Sequence, residues 1–135
     1  MRSVLVAYLT PTWFAAVFLG GGCGAVLRWL LSLLFNNPEA GFQTGTFLAN
    51  LIGAFIIGLA AAFFVARPNL SPEWRLLLIT GILGGLTTFS TFSLEMVEHM
   101  LKGLWGQAAL TLAGNLLGSL SLTMIGLLVG RKLWG

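Results

Sequence analysis

The residues of this chain with the most chemistry to offer lie inside its most apolar stretches. The run "GGLTTFSTFS" (84–93) places five hydroxyls within seven residues, behind two glycines. Gly84-Gly85 followed by a Thr-rich run makes a poor continuous helix, so a break is expected there. Carbonyls freed by such a break can hold a cation, and freed amides or hydroxyls can hold an anion. Phe89 and Phe92 are three apart and so share a helix face. A phenyl ring has a positive edge, which favours a small anion without offering it a full charge. Glu95 follows three residues after Phe92, on the same side. Glu98 and His99 are nearer the end of the run and are expected at the membrane interface.

Three further sets of polar residues stand among apolar neighbours. Thr111, Asn115, Ser119 and Thr123 recur every four residues, which draws one slowly drifting stripe on a helix. Such a stripe either hydrogen-bonds neighbouring helices, with some bonds returned to its own backbone, or lines water or an ion. Thr46 and Asn50 are also four apart. The Asn50 amide carries the donors an anion needs, and it would serve equally as a clamp between helices. Arg28, in "GAVLRWLL", either faces a water-filled cavity or a partner, or snorkels to the interface.

Catalysis has little to work with. One His and one Cys cannot build a metal cluster, and the chain carries no nucleophile–base pair and no phosphate loop. The inventory suits passive conduction of a small ion better than an enzyme. Cys23, the single cysteine, permits no internal disulfide and reads as a small apolar filler.

The elements that must position these residues are set by composition. Of 135 residues, 57% are hydrophobic and 8% charged, with a mean hydropathy of +0.93. A soluble domain carries about 25% charged residues, so this chain belongs in a bilayer. Its net charge of +3 is read as basic residues near lipid headgroups, not as a nucleic-acid footprint. A spanning helix needs about 20 mostly apolar residues, and four segments qualify: about 12–35, 45–66, 72–100 and 104–129. The expected fold is an all-α membrane protein of four transmembrane helices, the third broken near its middle. The short loops make residues 1–135 one domain. Thr10-Pro11 and Ser71-Pro72-Glu73 are helix starts, while "NNPEAG" (36–41) and "RPN" (67–69) are stops. Gly20/Gly24, Gly81/Gly85, Gly114/Gly118 and Gly126/Gly130 are each four apart, a spacing that lets helices approach closely in lipid. Met1-Arg2 followed by "SVLVAYL" has no small-residue cleavage site after it and is expected to lead into the first span. With four spans, Arg2, Arg67, Arg75, Arg131 and Lys132 fall on one side, and Lys102, with or without Arg28, on the other. The positive-inside rule then places both termini in the cytoplasm.

These stretches together resemble the CrcB/Fluc family of fluoride channels, over what looks like the family's full length. The resemblance is carried by "GGGCGAVLRW" (20–29), "GTFLANLIGAFIIG" (45–58), "TGILGGLTTFSTFSLE" (80–95) and "NLLGSL" (115–120), the third being highly specific. It implies a multi-pass protein of the cell membrane, plasma or inner, that exports fluoride passively. It also implies an antiparallel, dual-topology homodimer with two pores and a structural sodium ion at its centre. The sodium would be held by the backbone carbonyls of Gly84 and Thr87 from both copies. Phe89, Phe92 and Asn50 match the pore, and Arg28 matches the basic residue of its vestibule. Ser93, Glu95 and the fourth-span stripe of Thr111, Asn115 and Ser119 match the polar track, which Thr46 is expected to extend. Many relatives have a tyrosine where this chain has Thr111, which leaves that residue's role open. The loop charges are unbalanced for an inverted pair of identical chains, so an oppositely oriented paralogue is the alternative partner.

Fluoride is small and holds its water strongly, so removing that water needs close donors. A full positive charge in the pore would trap the ion, and weak binding at several sites suits conduction better. A small proton-coupled multidrug-type transporter is the alternative function. It needs a membrane carboxylate in a substrate cavity, and Glu95 is the only candidate. A non-conducting assembly subunit would explain the glycines but leave the polar stripe without a task.

Overall fold

The computed structural model describes residues 10–135. Residues 1–9, with Arg2 and the apolar lead-in, lie outside the described residues. Helix α1 is Pro11–Phe35 and α2 is Thr44–Ala66. The third span, Pro72–Leu101, is two helices: α3 over residues 72–86 and α4 at Phe89–Leu101. Helix α5 is Trp105–Trp134. The four spans thus fall where apolar length and punctuation place them, and the third is bent.

The starts and stops have local causes. Pro11 and Pro72 occupy first-turn positions, where a missing N–H costs nothing. Asn36 closes α1 through its own N–H to Ser32, and its Oδ1 accepts the Gly45 N–H at 2.7 Å, which joins the end of α1 to the start of α2. Gly103, with φ of 71°, makes the tight turn between α4 and α5. Helix α5 runs past the expected stop. At 30 residues it is about 45 Å long, more than a hydrocarbon core needs. Its last turn carries Arg131 and Lys132, whose charge suits the helix C-terminus.

Packing follows the glycine pairs. α1 lies along α3 and α2 along α5, each pair running parallel. A methyl added at Gly24 would overlap the Ile82 carbonyl, and one at Gly85 would overlap the Gly21 carbonyl. Gly58 and Gly126 make the same close approach between α2 and α5, against the carbonyls of Thr123 and Phe55. Buried Ala49, Leu83 and Leu86 form one apolar cluster before the break; Phe92, Met96 and Ala108 form a second beyond it. The third span changes neighbours between them, from α1 to α5.

Two features differ from expectation. The chain does not break at its glycines. Gly84 and Gly85 are helical, and the extended residues are Thr87 (φ −84°, ψ 152°) and Thr88 (φ −149°, ψ 119°). Gly85 serves instead to admit the backbone of α1. The second is Leu76–Leu83, which winds as a π-helix, a wide form seen mostly as single turns and often at functional sites. Leu77 and Ile82, whose carbonyls lie against Gly20 and Gly24, both belong to it.

A candidate pore site at the break of the third span

Two threonines in extended conformation leave helix-forming groups without their usual partners. In an unbroken helix the Thr88 N–H would return to Gly84, and the Thr91 N–H to Thr87. Here the Thr88 N–H donates to Asn50 Oδ1 at 2.8 Å. The Thr91 N–H donates to the Thr88 hydroxyl at 3.2 Å, which caps α4. Both amides are captured by side chains, so the carbonyls of Gly84 and Thr87 are released from them. The Thr87 hydroxyl donates to the Leu83 carbonyl at 2.8 Å and finishes α3.

Asn50 is the hub. Its Nδ2 donates to the Thr88 carbonyl at 3.1 Å and to Asn115 Oδ1 at 3.0 Å. Asn115 in turn donates to the Thr111 carbonyl at 3.0 Å. Both Asn50 amide hydrogens are therefore committed inside the chain, which makes it a clamp between α2, the break and α5. Thr123 ties the same two helices, its hydroxyl donating to the Ala54 carbonyl at 3.1 Å. The fourth-span stripe is thus partly a helix-to-helix bonding seam.

The stripe also faces open space. A cleft of about 590 Å³ is lined by Asn50, Gly84, Thr87, Thr88, Phe89, Phe92, Asn115, Ser119 and Thr123, with apolar residues between them. Phe89 and Phe92 meet edge to face with ring centroids 5.5 Å apart. Their surroundings differ: Phe89 is 78% exposed and Phe92 only 7%. Ser93 is half-buried on α4 beside them.

Arg28 stands on the other side of the break. Its Nε donates to the Gly85 carbonyl at 3.1 Å. That carbonyl would receive the Phe89 N–H in a continuous helix, so the guanidinium satisfies a group the break exposes. Of the two readings open for Arg28, a partner within the protein is the one found.

Toward the far end of α4 lies a second polar set. Glu95 is buried and its Oε1 accepts the Gln43 N–H at 2.8 Å. Thr46 is buried too, its hydroxyl donating to Gln43 Oε1 at 3.3 Å. Thr111 is fully buried with no hydrogen bond to its hydroxyl. His99 is buried, 4% exposed, with Nε2 bonded to the Gly41 carbonyl. Glu98 is exposed. Cys23 is exposed on α1. Thr88 and Gln43 are the site residues that sequence reading passed over. Thr88 carries a legible signal, a threonine just ahead of a helix start.

The chain matches the family model described as CrcB-like protein, Camphor Resistance (CrcB), over residues 15–127. It is 51% identical over 116 residues to a protein of Burkholderia ambifaria named fluoride-specific ion channel FluC, covering 86% of this chain and 91% of that one. A protein of the same name from Tolumonas auensis is 53% identical over 114 residues, covering 83% and 88%. One from Cupriavidus taiwanensis is 51% identical over 123 residues, covering 91% and 98%. Those names describe an ion channel and not an enzyme. A model match over most of the chain, joined to relatives this similar along nearly their whole length, places the chain in the CrcB family.

Proposed function

We propose that this chain is a fluoride-selective channel of the cell membrane that exports the ion passively. The observation that carries the reading is the single cleft shared by the break hydroxyls, Phe89, Phe92 and the polar residues of α5. The family, and the names of relatives near half identity, agree with it. Fluoride entering such a cleft meets neutral partners only. Ser119 offers a hydroxyl, and the two phenyl groups offer ring edges. Asn50 acts chiefly by holding the break open, because its donors are committed. Glu95, the carboxylate a proton-coupled transporter would need, receives the Gln43 N–H, which favours the channel over that alternative.

The working unit is an antiparallel pair of chains, with the open cleft of each facing the other. The cleft's apolar lining and the exposure of Phe89 support a second copy there. An oppositely oriented paralogue fits the same surface. The donor set at the break suits a small hard cation, since oxygen carbonyls are what sodium prefers and the amides that would occupy those of Gly84 and Thr87 are captured elsewhere. Sodium bound by those carbonyls from both copies would supply a fixed charge at the centre of the pair. The unit of folding is the whole chain, one four-span domain.

The test is efflux from liposomes into which purified protein has been reconstituted, followed with fluoride and chloride electrodes. Fast fluoride release with chloride retained is expected. Equal release of both, or of neither, would overturn the reading.

A further inference from the structure

Among the described residues, two buried side-chain atoms have no hydrogen-bond partner: His99 Nδ1 and Thr111 Oγ1. Buried polar atoms are nearly always paired, so each unpaired one calls for an explanation. Both lie on the α4–α5 pair, between the break and the turn at Gly103. Thr111 is joined through its carbonyl to Asn115, and so to Asn50 and the cleft. His99 is one helical turn beyond Glu95 on the same face of α4, farther from the break. Glu95 and His99 thus form a short buried polar column on α4, with His99 at its end away from the break.

We infer that His99 is a further residue of the permeation path, the outermost station of this column. The inference rests on the channel reading above. Its chemistry follows from the bond already made. The Gly41 carbonyl only accepts, so Nε2 carries the hydrogen and Nδ1 of the neutral ring is a lone-pair acceptor. An acceptor cannot bind bare fluoride. It binds a water molecule, and water is what a fluoride ion sheds on entry or regains on exit. His99 thus holds hydration water at the end of the route, while the hydroxyls nearer the break hold the ion. Its Nε2 bond to Gly41, with the Glu95 bond to Gln43, fixes the 36–43 loop beside that station.

The single native cysteine makes the test direct. In a Cys23→Ser background, His99→Cys is reconstituted and silver ion is added in chloride-free buffer. A path-lining thiol is expected to react, with fluoride flux falling by at least about tenfold, the loss one blocked or unsatisfied station gives. Unchanged flux, with the thiol still free by titration, would overturn the inference alone. Absence of fluoride flux in the unmodified chain would overturn the channel reading and this with it. A second pair covers the case in which the cysteine variant does not fold. His99→Gln keeps a donor for Gly41 and an acceptor for water, and is expected to conduct within about threefold of wild type. His99→Leu is expected to lose about tenfold while eluting as wild type. A leucine variant that conducts normally would overturn the assignment.

Discussion

Asn50 holds Thr88 from both sides: its Oδ1 accepts the Thr88 N–H at 2.8 Å and its Nδ2 donates to the Thr88 carbonyl at 3.1 Å. One side chain thereby does for an extended residue what a neighbouring strand would do. Asn50→Leu leaves both groups without a partner at membrane depth, at a cost of roughly 1–3 kcal/mol each. Thermal unfolding in detergent should show the full loss, and liposome efflux should fall with it. Asn115→Ala, which removes the bond shared with Asn50 and the one to the Thr111 carbonyl, should cost about 2 kcal/mol. Equal stability of Asn50→Leu and wild type would show that the clamp carries no weight.

Phe89 and Phe92 touch, yet they sit in opposite surroundings. Phe92→Ala empties a packed position between Met96 and Ala108 and should cost about 3–5 kcal/mol. Phe89→Ala removes a ring that is mostly exposed within the chain and should cost clearly less. Function should not follow this order. Phe89→Ile and Phe92→Ile are both expected to stop fluoride efflux, since each removes a positive ring edge from the cleft. Normal flux in both would remove the rings from the path.

The glycine positions separate into two kinds. A methyl at Gly24 would overlap the Ile82 carbonyl, and backbone cannot rotate out of the way. Gly24→Ala is expected to destabilise by about 1–3 kcal/mol, the range for an overpacked contact. Gly22 has nothing within 4 Å of the same position. Gly22→Ala should be neutral, or stabilising by up to about 1 kcal/mol through helix propensity. Unfolding curves of the two variants, two residues apart, check both signs.

Much of this architecture was legible because apolar length and proline punctuation are local signals. The ends of α1, α2 and the third span follow from Thr10-Pro11, Arg67-Pro68 and Ser71-Pro72. The existence of the break was legible in "GGLTTFSTFS", but its position was not. Glycine is weak in a helix only when nothing else uses its missing side chain, and Gly85 is used by α1. The extended residues are the threonines, because Asn50, thirty-eight positions away in the chain, captures the Thr88 N–H. That is a tertiary fact, and no window of sequence contains it. The same holds for Arg28, whose target is a carbonyl on another helix. The burial of His99 was not legible either, because Gly41, which bonds to it, lies fifty-eight positions away in the chain.

The cation proposed at the break gives the last expectation. Its donors are main-chain carbonyls, so side-chain substitution at the same positions should leave it in place. Thr87→Val keeps the branched shape that packs against Gly53 and loses only the hydroxyl bond to Leu83. Its dependence on sodium should match wild type. Replacing sodium by a bulky organic cation removes a ligand that binds only the folded pair. At about a hundred times the dissociation constant, such a ligand contributes about 2.7 kcal/mol. The unfolding midpoint should therefore drop in sodium-free buffer, in wild type and Thr87→Val alike, and fluoride efflux should drop with it. If neither quantity responds to sodium, the released carbonyls of Gly84 and Thr87 have another partner, and the diverted amides of Thr88 and Thr91 serve only to shape the bend.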